Sequence, residues 1–278
     1  RNVSKWFDVP VHPETGCAGP MGIAFGPDGD LYICDNQIFL DDPNMVFKGR
    51  ILRLKVEDNI ITRYSVVADG LEHPNGIRIW GDHMYVTQSL LSKVKDSSGK
   101  LVSCVYSFKL DDKNIQITNT LEDKNILCTF ITQNPDDQYG ADGIVFDKEG
   151  RLYVGNFGDG AVNRITLDDQ GNVLENIIWA QNPAQLQTTD GMIFDDKGNL
   201  YIADFSANAI AKVTPDGKVT RIAQSPDTDG FNGELDQPAE PCVWEGKLII
   251  SCFDLGTGPN KVNTAHEMPA TMAQLELE

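Results

Sequence analysis

The chain has 278 residues, with 41 acidic against 23 basic side chains and a formal net charge of −18 at pH 7. That sign excludes the phosphate-neutralising surface of a nucleic-acid binder and opposes an anionic membrane. A hydrophobic fraction of 41 % is that of a globular core, and no apolar run approaches the roughly 18 residues of a helical membrane span.

The first residue is Arg1, and no basic-then-apolar leader follows it. A soluble protein is expected, cytoplasmic or exported with a leader removed. The sequon Asn2-Val3-Ser4 is near chance for this length. Residues 4–9 (SKWFDV) read as a spare strand.

A repeat then runs down the chain: GPMGIAFGPDGDLYICDN (19–36), HPNGIRIWGDHMYVTQS (73–89), GADGIVFDKEGRLYVGNF (140–157), TTDGMIFDDKGNLYIADF (188–205) and PAEPCVWEGKLIISCFD (238–254). Each copy is a short apolar strand, a turn and a second apolar strand, and GPDG, DKEG and DDKG carry Asp/Gly hairpin chemistry. A third strand follows at 49–56, 102–110, 161–167 and 209–214, and a fourth at 62–68, 125–131, 175–180 and 219–224. No apolar 3.6 period persists for three turns. Four strands in each repeat of about 50 residues predict a β-propeller of five four-stranded blades forming a single domain over 1–278. The last copy has a third strand available in the tail, 271–278, and strand 4–9 is expected to complete that blade. The six cysteines form no CxxC pair and mostly lie in apolar strand-like runs, as small buried hydrophobes do.

In a propeller blade the start of the first strand and the end of the second open on one face. Hairpin pairing matches Met21 with Asp35, Asn75 with Gln88, Asp142 with Asn156, Asp190 with Asp204 and Glu240 with Cys252. An inner ring of Asn75, Asp142, Asp190 and Glu240 results. Three carboxylates and an amide around one axis repel unless neutralised. A hard divalent cation would neutralise them, Ca²⁺ first, with Zn²⁺, Mg²⁺ or Mn²⁺ as alternatives. The other reading is loop capping by Asp and Asn side chains, which suits Asp35 and Asp204 especially well.

The hairpins PNGIRI, ADGIVFDKEGRLYV and TDGMIFDDKGNLYIAD resemble those of the SMP-30/gluconolactonase/LRE family, which includes regucalcin. The resemblance covers most of the chain and implies a calcium-dependent lactonase. It implies one divalent metal held by a Glu, one or two Asn and an Asp from different blades. Asp190 matches the family Asp, Asn75 the Asn before Gly, and Asp142 a second Asn with added charge. Glu240 in EPCVW matches the Glu, although that Glu comes first in the family and last here. Family members have six blades, the alternative to five.

His73, two residues before Asn75, is a candidate proton shuttle or substrate contact. His12 and His83 fall in loop and turn. His266 lies in the stretch 255–271, which could overhang the mouth as a lid. Phe157, Phe205 and Phe253 follow the second strands at equivalent places, to wall a pocket or to pack under loops. No GxSxG elbow, P-loop or dinucleotide fingerprint is present. The leading expectation is hydrolysis of a lactone or small ester, with Asp190 and then Asp142 as base. Asn156, Gln88, Asp204 and His73 would hold the substrate. A glycosidase using paired carboxylates and a non-enzymatic NHL-like propeller are the alternatives. The expected partner is a small molecule, with neither nucleic acid nor membrane, and the protein a monomer or small homo-oligomer.

Overall fold

Two of the hairpins are each closed by their own turn Asp. In the computed structural model, Asp147 accepts the N–H groups of Glu149 (3.0 Å) and Arg151 (2.9 Å) and the Tyr153 phenol (3.1 Å). Asp195 repeats the device with Lys197 (2.9 Å), Asn199 (2.8 Å) and the Tyr201 phenol (3.1 Å). One carboxylate thus orders the turn and fastens it to the second strand, which sets the hairpin register.

The structure describes residues 4–38, 42–255 and 261–277; Asn2 and Val3 of the sequon lie outside them. The chain divides into two compact units, 1–131 and 132–278. In the first unit β1 (Pro20–Phe25), β2 (Leu31–Asp35), β3 (Gly49–Glu57) and β4 (Ile60–Leu71) form one antiparallel sheet. The strands β5 (Pro74–Trp80), β6 (His83–Gln88), β7 (Val102–Lys109) and β9 (Ile126–Ile131) form the next. Between β7 and β9, β8 (Ile115–Gln116) returns to pair in parallel with β4. The long spacing of the second repeat therefore covers the outer edge of the first sheet, where unpaired backbone groups would otherwise stand.

The second unit holds three sheets: β10 (Ala141–Phe146), β11 (Leu152–Asn156), β12 (Ala161–Leu167) and β13 (Val173–Gln181); β14 (Met192–Phe194), β15 (Leu200–Asp204), β16 (Ala209–Val213) and β17 (Val219–Gln224); and β18 (Pro238–Trp244), β19 (Lys247–Cys252) and β20 (Met272–Glu276). The fold class is an all-β five-bladed β-propeller, with two blades in the first unit and three in the second. The second strands of the first four hairpins are buried, His83 at the start of β6 excepted, and feed the core through Tyr32, Met84, Val154 and Tyr201 among others. Among the described residues no helix is long and apolar enough to cross a membrane.

The N-terminal segment departs from expectation. Residues 4–9 form no strand and add nothing to the last blade, which has three strands among the described residues. They pack on the first blade instead: Phe7 and Val9 lie against Leu31, Ile33, Leu52 and Leu54, and the Trp6 indole N–H donates to the Asn59 carbonyl at 2.7 Å. Burying these apolar side chains on that face wins over strand pairing. The cysteines also divide: Cys34, Cys104 and Cys252 are buried, whereas Cys242 is exposed.

Candidate functional site

The expected hairpin pairings are displaced by one or two residues. Asp35, Gln88 and Asn156 pair with Pro20, Pro74 and Ala141, and Cys252 pairs with Pro238. A β-bulge follows each of these pairs, placing two residues opposite one: Met21-Gly22, Asn75-Gly76 and Asp142-Gly143 in the first three. In the fourth repeat Asp190 and Gly191 precede β14 altogether. A bulge kinks its strand and re-aims the side chain it carries. Gly22 and Gly143 have a second job, because the next first strand crowds them. A Cβ on Gly143 would collide with the Asp190 carbonyl, and one on Gly22 would meet the Asn75 carbonyl at 2.5 Å. In these two hairpins the Xaa-Gly step therefore both turns the residue before the glycine and lets the next first strand approach.

Three of the four expected ligands gather within the second unit. Asp142 is buried, Asp190 half-buried and Glu240 exposed. Burial first, and then the charges of Asp190 and Glu240, push the Asp142 carboxyl well above the usual carboxylate range. Burial and the Glu240 charge raise Asp190 likewise, against the opposing pull of the Gly191 N–H bond and the Lys261 ammonium. Such mutually repelling acids hold a proton or attract a cation. Among the described residues, no three His, Cys, Asp or Glu side chains converge as a preformed metal cage. What fits a hard divalent ion is the donor chemistry, oxygen only and negatively charged. Asn75 stands in the first unit, nearly buried, where its amide donates to Ser89 Oγ at 3.3 Å.

The residues expected to hold substrate are occupied inside their own blades. Asp204 is fully buried and accepts from Gln187 N and Thr188 N, both at 2.9 Å, and from Arg221 at 3.2 Å. Gln88, also fully buried, accepts Glu72 N at 2.9 Å and donates to Asn119 at 3.0 Å. Asn156 accepts the Thr132 hydroxyl at 2.9 Å and donates to Asp159 at 3.0 Å. Asp35 accepts Gly19 N at 2.7 Å and pairs with Arg50 at 2.6 Å. In three blades the residue ending the second strand thus receives the backbone that enters the first, which is loop capping repeated with the fold. His73 is buried, accepts or donates at Asn36 across 3.1 Å, and is lowered to about 4 by burial. It is a neutral imidazole at pH 7. His12 is buried as well, and His83 pairs with Asp82 at 2.7 Å.

The phenylalanines form a row across the three blades of the second unit. Ring centroids are 5.0 Å apart for Tyr139–Phe157, 5.9 Å for Phe157–Phe205 and 6.2 Å for Phe205–Phe253. Phe157 and Phe205 are buried, while Phe253 is 38 % exposed. Lys261 lies over this row, with its Nζ 5.0 Å from the Phe205 centroid and 5.9 Å from that of Phe157. The same cation acts on Asp190 and on Asp137, whose carboxyl is raised by burial. Lys261 did not stand out in the sequence, although it is the one Lys or Arg within 255–271. His266, in that stretch, meets the Asp254 carbonyl. The second unit thus assembles paired acids, an exposed third carboxylate, a row of aromatic faces and one ammonium group.

A family model described as "SMP-30/Gluconolactonase/LRE-like region" matches residues 22–186, more than half of the chain, and ends just before Asp190. No curated protein matches the chain. Among solved structures, a putative gluconolactonase is 17 % identical over 96 % of this chain and 78 % of its own, with a TM-score of 0.54. A gluconolactonase from Xanthomonas campestris is 16 % identical over 87 % of this chain and 70 % of its own, also at 0.54. A luciferin-regenerating enzyme is 11 % identical over 94 % and 95 %, at 0.52. At these identities the likeness is one of fold, and it is the family match that identifies the chain as a member of the SMP-30/gluconolactonase/LRE-like family.

Proposed function

We propose that the protein is a hydrolase of a lactone or related small ester, acting beside Asp142, Asp190 and Glu240. The observation that carries this reading is the gathering of Asp142, Asp190 and Glu240, in which burial and like charge raise the carboxyls of Asp142 and Asp190. A carboxylate oxygen set beside the attacking water can act as its general base. Asp190, the half-buried member, takes a proton from the attacking water as its oxygen bonds to the carbonyl carbon. The ring C–O bond then breaks, and the departing alkoxide takes up a proton to leave a hydroxy acid. Phe253, exposed at the end of the aromatic row, offers an apolar face to the ring, and Lys261 offers positive charge for developing negative charge on oxygen.

Asp142, Asp190 and Glu240 would hold a divalent cation, Ca²⁺ being the best match to an all-oxygen donor set. When bound, such an ion supplies Lewis-acid polarisation of a carbonyl. Family membership supports both the activity and the metal.

The test is turnover of a panel of sugar lactones, aliphatic lactones and aryl esters with calcium present and with chelator. Asp190→Asn should retain the fold and lose roughly 10²–10⁴ in rate. A wild type inactive on the whole panel but active on aryl glycosides would replace this reading with the paired-carboxylate glycosidase.

A further inference from the structure

A second group of oxygen atoms, made of different residues, lies in the last blade. Asp236 precedes β18, Asp254 follows β19, and Asn263 and Thr271 belong to the segment that leads into β20. Asp236 and Asp254 are each 1 % exposed and Asn263 is 3 % exposed. Asp236 Oδ2, Asp254 Oδ1 and Asn263 Oδ1 are buried without a hydrogen-bond partner. All three are acceptors, so none can satisfy another.

Asp236 and Asn263 meet directly, and Asp254 acts on Asp236 by like charge. The Asn263 amide nitrogen donates to the other Asp236 oxygen. A Cβ on Gly230 would meet Thr271 Oγ1 at 2.5 Å and Asp236 Oδ2 at 3.2 Å, which puts that hydroxyl beside the orphaned carboxylate oxygen. Asp254, Glu267 and Asp229 all act on Asp236 with like charge. Among the described residues no Lys or Arg pairs with Asp236 or Asp254. Asp254 Oδ2 accepts Glu267 N at 2.6 Å, and His266 stands 3.9 Å from it. Buried carboxylates without cationic partners are strongly unfavourable unless protonated or neutralised.

We propose that Asp236, Asp254 and Asn263 bind a calcium ion, a second cation site that pins the 261–271 segment to the last blade. Two carboxylates, an amide oxygen and a hydroxyl leave positions for water in a coordination shell of 6–8 oxygens. Asn263 is the ligand that matters for the segment, because it comes from near its start, whereas Thr271 stands at its end. The inference stands apart from the proposed activity and uses none of its residues.

The test is thermal melting and calorimetric calcium titration of the full chain in an Asp142→Asn/Asp190→Asn background, which silences the first candidate site. Calcium should still bind there with near one-to-one stoichiometry, raise the melting temperature, and slow tryptic cleavage after Lys261. Asn263→Ala and Asp236→Asn, each added to that background, should abolish all three responses. Without calcium, Asp236→Asn should melt above its parent, because it removes one of two repelling buried charges. The proposal is overturned if calcium leaves the background protein unmoved, or if the response survives both substitutions. Failure of Asp236→Asn to fold without calcium would equally count against it, since that would make the charge stabilising by itself.

Discussion

Glu240 lies against the backbone of Gly191. A Cβ on that glycine would strike Glu240 Oε2, and it would meet the Ala239 carbonyl at 2.5 Å and Glu240 Cα at 2.7 Å. The residue next to Asp190 is therefore glycine so that the following strand can bring its carboxylate alongside. Two of the three obstacles are backbone atoms, which cannot swing aside. Gly191→Ala should lower stability by about 1–3 kcal/mol, the usual range for overpacking. A urea midpoint unchanged from wild type would show that the strands can part without loss.

The aromatic row has a buried middle and an exposed end. Phe205, packed between Phe157 and Phe253, should cost about 3–5 kcal/mol on truncation to Ala. Phe253→Ala, at a ring 38 % exposed, should cost clearly less. The proposed function assigns Phe253 to substrate, so its truncation should raise KM more than it lowers stability. Equal destabilisation by both substitutions would make the row a packing device throughout.

Arg50 and Asp35 form an ion pair at 2.6 Å with side chains only 3 % and 0 % exposed. Arg50→Met leaves the Asp35 charge buried and should cost about 3–5 kcal/mol. Arg50→Met combined with Asp35→Asn should recover part of that loss, because the amide can still accept the Gly19 N–H. Strict additivity in denaturant melts would mean the pair is not coupled.

His73 sets a pH dependence of stability. Its folded pKa is lowered to about 4, against about 6.5 in an unfolded chain. Between these values the unfolded chain binds a proton that the fold refuses. The contribution is complete above about pH 6.5, declines as the pH falls towards 4, and levels off below. By linkage it amounts to roughly 2 kcal/mol between pH 7 and pH 5. His73→Asn should flatten the unfolding free energy over that interval by this amount. An unchanged slope would assign the acid sensitivity to other groups.

Strand positions were legible because period-two apolar runs and Asp/Gly turns are local signals. The third and fourth strands of the first four blades, and the tail strand at Met272–Glu276, fall where alternation placed them. The one-residue register displacement was not legible, because a bulge depends on how close the next strand comes. Loop capping by Asp204 and Asp35 was visible as a possibility in the residue types, whereas capping by Gln88 was not. Only burial and partners separate it from substrate binding. Lys261 was hidden for a different reason: its place over Phe205 depends on where a long connecting segment settles.

By itself the sequence determined the repeat, the five hairpins, the blade count and the gathering of acidic side chains at strand starts. The hairpins follow from patterns spanning fewer than about 20 residues, where backbone preference and side-chain alternation act directly, and the blade count from their recurrence about every 50 residues. Tertiary structure alone decided which acids meet, that residues 4–9 cover the first blade rather than complete the last, and that Asn263 meets Asp236, on which the buried Asp254 acts by like charge. Those outcomes depend on side chains far apart in the chain competing for the same apolar surface or low-dielectric space. No local pattern records the winner of that competition, because its energy is that of burial and of charges in each other's field.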